Sequence, residues 1–255
     1  MGELDGKVAI VAGAGPGIGR ACAAAFRREG AQVVVAARNA ERLATLAAEL
    51  DAEPVPTDLG DLDACRALVE RAVERFGGVD VLVNVATTGG GQTAVDDADW
   101  DDWRRAFEVN VLGTLEISRS AARSMAARGG GSIIQIGTFG TTALPPRQAR
   151  YTATKQAMVT ASRTLAKELG RDNVRVNVVT PGYTTGPNLD TLFQGVADRT
   201  GESWDEVSQR FAKTAALRRH VDPEDIADAV LFLAGPRARN ITGVELDVTA
   251  GQAAG

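Results

Sequence analysis

Short unbroken apolar runs recur along the chain, and between them apolar and polar positions repeat with helical spacing. Val8-Ala9-Ile10-Val11-Ala12 is the first run, and a helical segment from about Gly17 to Glu29 follows it. Next come Gln32-Val33-Val34-Val35-Ala36, a helix near Ala40 to Leu50, the short run Pro54-Val55-Pro56 and a helix near Leu62 to Phe76. Val79-Asp80-Val81-Leu82-Val83, Ser132-Ile133-Ile134-Gln135-Ile136, Val174-Arg175-Val176-Asn177-Val178-Val179 and Val244-Glu245-Leu246-Asp247-Val248 complete the strand-like runs. Long helical patterns cover about Asp99 to Ala127 and Tyr151 to Leu169, and a shorter one runs from Pro223 to Leu233. Continuous Val/Ile runs suit strands covered on both faces, and their alternation with helices predicts a parallel sheet. No repeat, low-complexity tract or interdomain linker interrupts the series. The pattern predicts one α/β domain over residues 1–255, a doubly wound parallel sheet of about seven strands flanked by helices.

Composition narrows the possible functions. Charges of both signs are interspersed along the 255 residues and the formal net charge is −5. Nucleic acid would want a basic face, so it is not an expected partner. No apolar run approaches the roughly 20 residues of a membrane span. Met1 to Lys7 carries no apolar leader, and the expectation is a cytoplasmic protein. Cys22 and Cys65 lack metal or CxxC spacing and read as packing thiols of a reducing compartment. The single histidine, His220, leaves no histidine-rich metal site, excludes most Ser-His schemes and is expected in a loop or at the surface. No metal is expected.

The first strand-to-helix junction carries chemistry. Gly13-Ala14-Gly15-Pro16-Gly17-Ile18-Gly19 joins the first strand to its helix. Glycines there let the backbone turn tightly and approach a pyrophosphate, whose charge meets the helix N-terminus, as in Rossmann-type folds. The spacing Gly13-x-x-x-Gly17-x-Gly19 differs from the plain GxGxxG of other dinucleotide folds. At the end of the second strand an acidic residue would select the ribose hydroxyl of NAD. Here Ala36-Ala37-Arg38-Asn39 offers no carboxylate, and Arg38 could hold a 2′-phosphate by charge-assisted bonds. NADP(H) is therefore favoured over NAD(H), although Pro16 stands where a second basic residue would have strengthened that choice.

Tyr151 and Lys155 are four residues apart on one predicted helix, which places phenol and ammonium on the same face. A tyrosine at its ordinary pKa of roughly 10 is a poor proton shuttle near neutrality, and a neighbouring ammonium lowers that pKa. With Gly13-x-x-x-Gly17-Ile18-Gly19 and Tyr151-x-x-x-Lys155 both in place, the chain resembles the short-chain dehydrogenase/reductase family over essentially its whole length. It is most similar to compact members related to 3-oxoacyl-carrier-protein reductases and hydroxysteroid dehydrogenases.

The resemblance assigns further residues. Asp58 and Leu59, in Thr57-Asp58-Leu59, match the adenine position. Asn84 and Ala86 match members of the family's Asn-Asn-Ala-Gly motif, here altered to Asn84-Val85-Ala86-Thr87. Asn110 matches the helix asparagine that supports a water-linked proton relay. Pro181 and Gly182 match the turn bordering the nicotinamide, with Thr184 beyond it. Thr138 stands thirteen residues before Tyr151, where relatives usually carry serine; it keeps the hydroxyl and adds a stiffer, methylated side chain. Gly186 falls where the family usually has threonine, and Val248-Thr249-Ala250-Gly251 replaces Val-Asp-Gly-Gly. These departures mark a divergent branch.

The family's chemistry implies reversible hydride transfer between a nicotinamide and a secondary alcohol or ketone. Tyr151 would be the acid/base, Lys155 would tune it and hold the ribose, Thr138 would orient the substrate oxygen and Asn110 would position the relay water. A cofactor-binding sensor or scaffold, and an epimerase or dehydratase using the same Tyr-Lys pair, remain open. The segment from about 183 to 220 is long for a connection and is expected to form a lid. Its stripes, Leu189/Leu192/Phe193/Val196 and Trp204/Val207/Phe211, are more often packing surface than substrate contacts, yet so apolar a lid suggests a hydrophobic or alicyclic small-molecule carbonyl. Phe139, Leu144 and Gln148 are candidates for the same pocket. The family also implies a dimer or homotetramer built through the long helices.

Overall fold

The computed structural model describes residues 2–88 and 90–252; Met1 and residues 253–255, the ends of the predicted domain, lie outside the described residues. Seven parallel strands form one sheet: β1 (Val8–Ala12), β2 (Gln32–Ala37), β3 (Glu53–Pro56), β4 (Val81–Asn84), β5 (Gly131–Ile136), β6 (Val174–Pro181) and β7 (Glu245–Val248). Their order is β3-β2-β1-β4-β5-β6-β7. The doubly wound parallel sheet is as expected. Its direction of winding reverses between β1 and β4, and a cleft at the carboxyl ends of such strands is where α/β sheets bind ligands.

The runs lack polar alternation because both faces are covered. Ala9 and Val11 of β1 enter one core with Phe26 of α1 (Ile18–Arg28) and Val230 of α10 (Pro223–Ala234). Ile10 and Ala12 enter the other with Leu68 of α3 (Leu62–Phe76) and Ile117 of α5 (Thr114–Ala127). Phe26, Ile10, Leu68 and Ile117 are each wholly buried, contributing roughly 1.5–3 kcal/mol apiece. Cys22 and Cys65 are buried in these two cores, as expected of packing thiols, and burial pushes them up to about 12 and about 11.

Several helix starts are capped. Asn39 caps α2 (Ala40–Leu50), Asp61 caps α3, and Ser203 with Glu206 forms a capping box on α9 (Trp204–Ala212). Edge strand β3 contains Pro54 and Pro56, residues that an interior strand would reject. The long helix expected from Asp99 to Ala127 is not uniform: α4 (Trp100–Phe107) passes into a π-helical turn, Glu108–Gly113, before α5. Its last residue is closely packed: a Cβ on Gly113 would stand 1.7 Å from the carbonyl oxygen of Leu59. Among the described residues no helix is long and apolar enough to cross a membrane, and no group of three metal-ligating side chains occurs.

Candidate functional site

A cleft of about 1370 Å³ opens at the carboxyl ends of the strands. Of the predicted site residues, Gly13, Gly15, Gly17, Ile18, Gly19, Arg38, Asp58, Leu59, Ala86, Thr138, Tyr151, Lys155, Pro181, Gly182 and Thr184 line it. Asn84 and Asn110 do not.

The glycine turn is built for close approach. Gly13 has φ 100°, and a Cβ there would lie 2.2 Å from the backbone nitrogen of Ala86. At Gly19 a Cβ would meet the Gly13 carbonyl oxygen at 2.1 Å, so this glycine lets α1 lie against the turn. Gly17, at φ 97°, begins α1 with no side-chain cap, and the first turn carries no acidic residue. Free N–H groups and the positive helix end therefore face the cleft. This cradle fits the pyrophosphate of a dinucleotide.

At the adenosine end, Asp58 accepts from the Gly60 N–H at 2.9 Å and pairs with Arg105 at 2.5 Å. Burial works to raise its carboxyl, but the Gly60 and Arg105 bonds outweigh it and hold the group below its usual range. Arg38 is exposed, lines the cleft and adds to that lowering. Sequence reasoning missed Arg42, which lines the same end four residues further on. Arg42 supplies the second cation that Pro16 does not. The signal was available: Asn39 is a cap residue, so Arg42 sits in the first turn of α2 above Arg38.

At the opposite end Tyr151 and Lys155 project from α7 (Ala149–Leu169) toward Thr138, just after β5. Lys155 is 4% exposed and donates to the Ile136 carbonyl at 2.8 Å. Its ammonium lies 5.9 Å from the centre of the Tyr151 ring. Burial lowers Lys155 to about 8. The expectation that Lys155 would pull Tyr151 down needs correction: burial raises the phenol above its ordinary value, and the neighbouring Thr138 hydroxyl opposes this only in part. Thr138 also accepts from the Gly140 N–H at 3.2 Å. Gly140 leaves room for the threonine methyl; even a Cβ there would stand 3.7 Å from Thr138 Cγ2.

A pH dependence follows. Folded Lys155 loses its proton near pH 8, whereas the unfolded chain holds it to about its ordinary 10.5. Between these values the unfolded state binds more protons, so this group makes stability rise with pH, by on the order of 3 kcal/mol. Raised Tyr151 acts oppositely, its contribution being lost as pH climbs through its folded pKa. Urea denaturation at about pH 7.5 and about pH 9.5 should show a rise in wild type that Lys155→Met lacks. An equal rise in both proteins would remove Lys155 as its source.

Asn110 lies in the π-turn, and its side chain is fully engaged. Its Oδ1 accepts from the Thr88 N–H at 2.8 Å and the Thr87 hydroxyl at 3.3 Å. Its Nδ2 donates to the Thr88 carbonyl and to Thr154 Oγ1, both at 2.9 Å. With two donors and two acceptor sites used, the side-chain amide fastens the loop after β4 to α7, which leaves the Asn110 backbone as the place where a relay water could bond. Asn84 is likewise internal: it donates to Ser118 Oγ at 3.2 Å, 3% exposed within the sheet.

On the far wall, α8 (Pro187–Thr200) packs against α9. Leu189, Phe193, Val196 and Val207 form their own buried cluster with Tyr183, Leu192 and Phe211. Most of the two apolar stripes is thus consumed between the helices, and of the seven stripe residues Leu189 and Leu192 line the cleft. Phe139 is drawn away to an edge-on contact with Tyr183 at 4.8 Å, and Leu144 is 68% exposed. Gln148 does line the cleft. His220 occupies a loop, as expected, but is packed inward, 5.3 Å from the Phe193 ring with Nε2 3.0 Å from Ser208 Oγ. Gln252, unnoticed in the sequence, accepts from the Tyr183 N–H at 2.8 Å and donates to Thr214 at 3.3 Å, tying the turn after β6 to the segment beyond α9.

Comparison with known proteins gives these features a context. Residues 13–253 match a family model described as enoyl-(acyl carrier protein) reductase. The 7α-hydroxysteroid dehydrogenase of Escherichia coli K12 is 34% identical, over 98% of this chain and 95% of the relative. The crystal structure of L-sorbose reductase from Gluconobacter frateurii, complexed with NADPH and L-sorbose, superposes with a TM-score of 0.94 at 32% identity, covering 99% of this chain and 98% of the other. NAD⁺-bound xylitol dehydrogenase gives 0.90 at 29% identity, covering 97% and 99%.

Proposed function

The chain belongs to the short-chain dehydrogenase/reductase family and is a nicotinamide-dependent oxidoreductase acting on a CH–OH group; from that premise we propose that it interconverts a secondary alcohol and an alicyclic ketone with NADP(H), using Tyr151 as acid/base. The observation that carries this reading is the convergence of Thr138, Tyr151 and Lys155 on one end of a cleft whose other end is the bare N-terminus of α1.

A bound nicotinamide supplies the hydride in reduction and receives it in oxidation. The Gly13–Gly19 turn would hold the pyrophosphate, Pro181, Gly182 and Thr184 would border the nicotinamide, and Asp58 with Leu59 would border the adenine. Thr138 would fix the substrate oxygen beside Tyr151. The raised pKa keeps the Tyr151 phenol protonated at neutral pH, the form required to deliver a proton to a carbonyl oxygen. Lys155, lowered to about 8, still carries its charge near neutrality and stabilises negative charge developing on that oxygen. Asn110 acts indirectly, by fixing Thr88 against α7. The α8–α9 pair would close over the substrate, with Leu189 and Leu192 as its apolar contacts. Copies of the chain would assemble through the α4–α5 and α7 faces.

Arg38 and Arg42 support the choice of NADP(H). Fluorescence titration should give tighter binding of NADPH than of NADH. Arg38→Ala should weaken NADPH about 10- to 100-fold and leave NADH nearly unchanged, as for loss of a bond to a charged group. NADH bound as tightly as NADPH would withdraw the preference. The activity itself is tested by ketone-dependent loss of NADPH absorbance; no loss across a panel of alicyclic ketones would reject the substrate class.

A further inference from the structure

We propose that Gln148 is a specificity-determining residue that recognises a second oxygen function close to the reacting carbon, so that the substrate is an alicyclic hydroxyketone or its diol rather than a simple ketone. This rests on the reading of Tyr151 as the reacting acid.

Three features lead to it. First, Gln148 lines the cleft three residues before Tyr151, at the start of the same helix. That spacing puts the two side chains on adjacent sites of one face, about 5–6 Å apart at Cβ. Such a separation suits two oxygens on neighbouring carbons. Second, among the described residues the Gln148 amide makes no hydrogen bond, although its backbone carbonyl accepts from both the N–H and the hydroxyl of Thr152 at 3.0 Å. A half-buried amide with donor and acceptor unused is held ready for a polar ligand. The Thr88 hydroxyl also faces the cleft without a partner among the described residues, while Asn110 grips its backbone on both sides.

Third, the backbone that presents Gln148 is held in an uncommon conformation. Arg147 has φ 68°, a left-handed setting that costs a non-glycine residue on the order of 1 kcal/mol. Its carbonyl accepts from the Thr93 N–H at 2.9 Å, which ties the loop after β4 to the residue before Gln148. Polar groups thus form the wall of the cleft on the Gln148 side, with Leu189 and Leu192 on the α8 side. A ring with one hydroxylated edge matches both.

The test compares kcat/KM for 2-hydroxycyclohexanone and cyclohexanone with NADPH, in wild type, Gln148→Met and Gln148→Glu. The hydroxyl itself activates the neighbouring carbonyl, so the readout is the change in the ratio between proteins. Methionine keeps the length and loses the amide, and the ratio should fall about 3- to 10-fold, the size of one neutral hydrogen bond. Glutamate restores an acceptor for the hydroxyl and should recover part of the preference. An unchanged ratio in folded Gln148→Met overturns the inference while leaving the ketone chemistry intact. Failure of wild type to reduce either ketone overturns the underlying reading, and this one with it.

Discussion

Replacement of Tyr151 by phenylalanine is expected to lower turnover by roughly 10²- to 10⁴-fold, the usual weight of a positioned general acid. The ring stays in its half-buried setting and loses its hydroxyl, so the fold has little reason to change. The Thr138 hydroxyl loses the phenol oxygen beside it. Nucleotide binding should survive, because the Gly13–Gly19 turn and the Arg38–Arg42 pair lie at the other end of the cleft. The check is single-turnover reduction of a ketone alongside NADPH titration of the same variant. Near wild-type turnover would end the assignment of Tyr151. Lost turnover together with lost NADPH binding would point to a collapsed site instead.

Gly13→Ala is the second large effect. The backbone there has φ 100°, which an L side chain rarely adopts, and the new Cβ would lie 2.2 Å from the Ala86 nitrogen and 2.6 Å from its Cα. Both obstacles are main chain of the segment after β4, so neither can swing aside. Strain and overpacking together should cost about 2–5 kcal/mol in a urea melt. Gly15→Ala is the internal control, since nothing stands within 4 Å of a Cβ there and its φ is not positive. It should leave stability within about 0.5 kcal/mol while weakening dinucleotide binding, because that open space is where the pyrophosphate would come closest. Equal stability loss in the two variants would refute the account of the turn.

The fold was legible because its strands are covered on both faces. Nothing but a doubly covered parallel sheet asks for runs such as Val33-Val34-Val35, with alternate residues sent into opposite cores. The glycine turn and the Tyr151/Lys155 pair were legible because their chemistry depends on spacing along the chain. What depends on packing was not. The helix pattern continues smoothly across Asn110, so the π-turn is silent in the sequence, as is the close approach of Leu59 to Gly113 at its end. The stripes on α8 and α9 were expected more often to pack than to touch substrate, but periodicity gives a face and not what covers it; here the helices chiefly cover each other. Arg42 was legible but overlooked: with a helix expected from Ala40, Asn39 as its cap places Arg42 in the first turn, close in sequence to Arg38. The sign of the Tyr151 shift turned on burial, which outweighed the lowering by the Thr138 hydroxyl.

The prolines of β3 have a consequence for how the molecule behaves in crowded solution. Thr57, just past the strand, sends its N–H to Ala37 of β2. By the alternation of a strand, positions 53 and 55 face β2 as well, and positions 54 and 56 face outward. Those two outward positions are Pro54 and Pro56, which have no N–H to offer. The free margin of the sheet is thereby stripped of donors, so another extended chain arriving there finds no ladder to join. The four residues that lead the chain to Asp58 thus also guard this edge of the sheet against pairing with another chain.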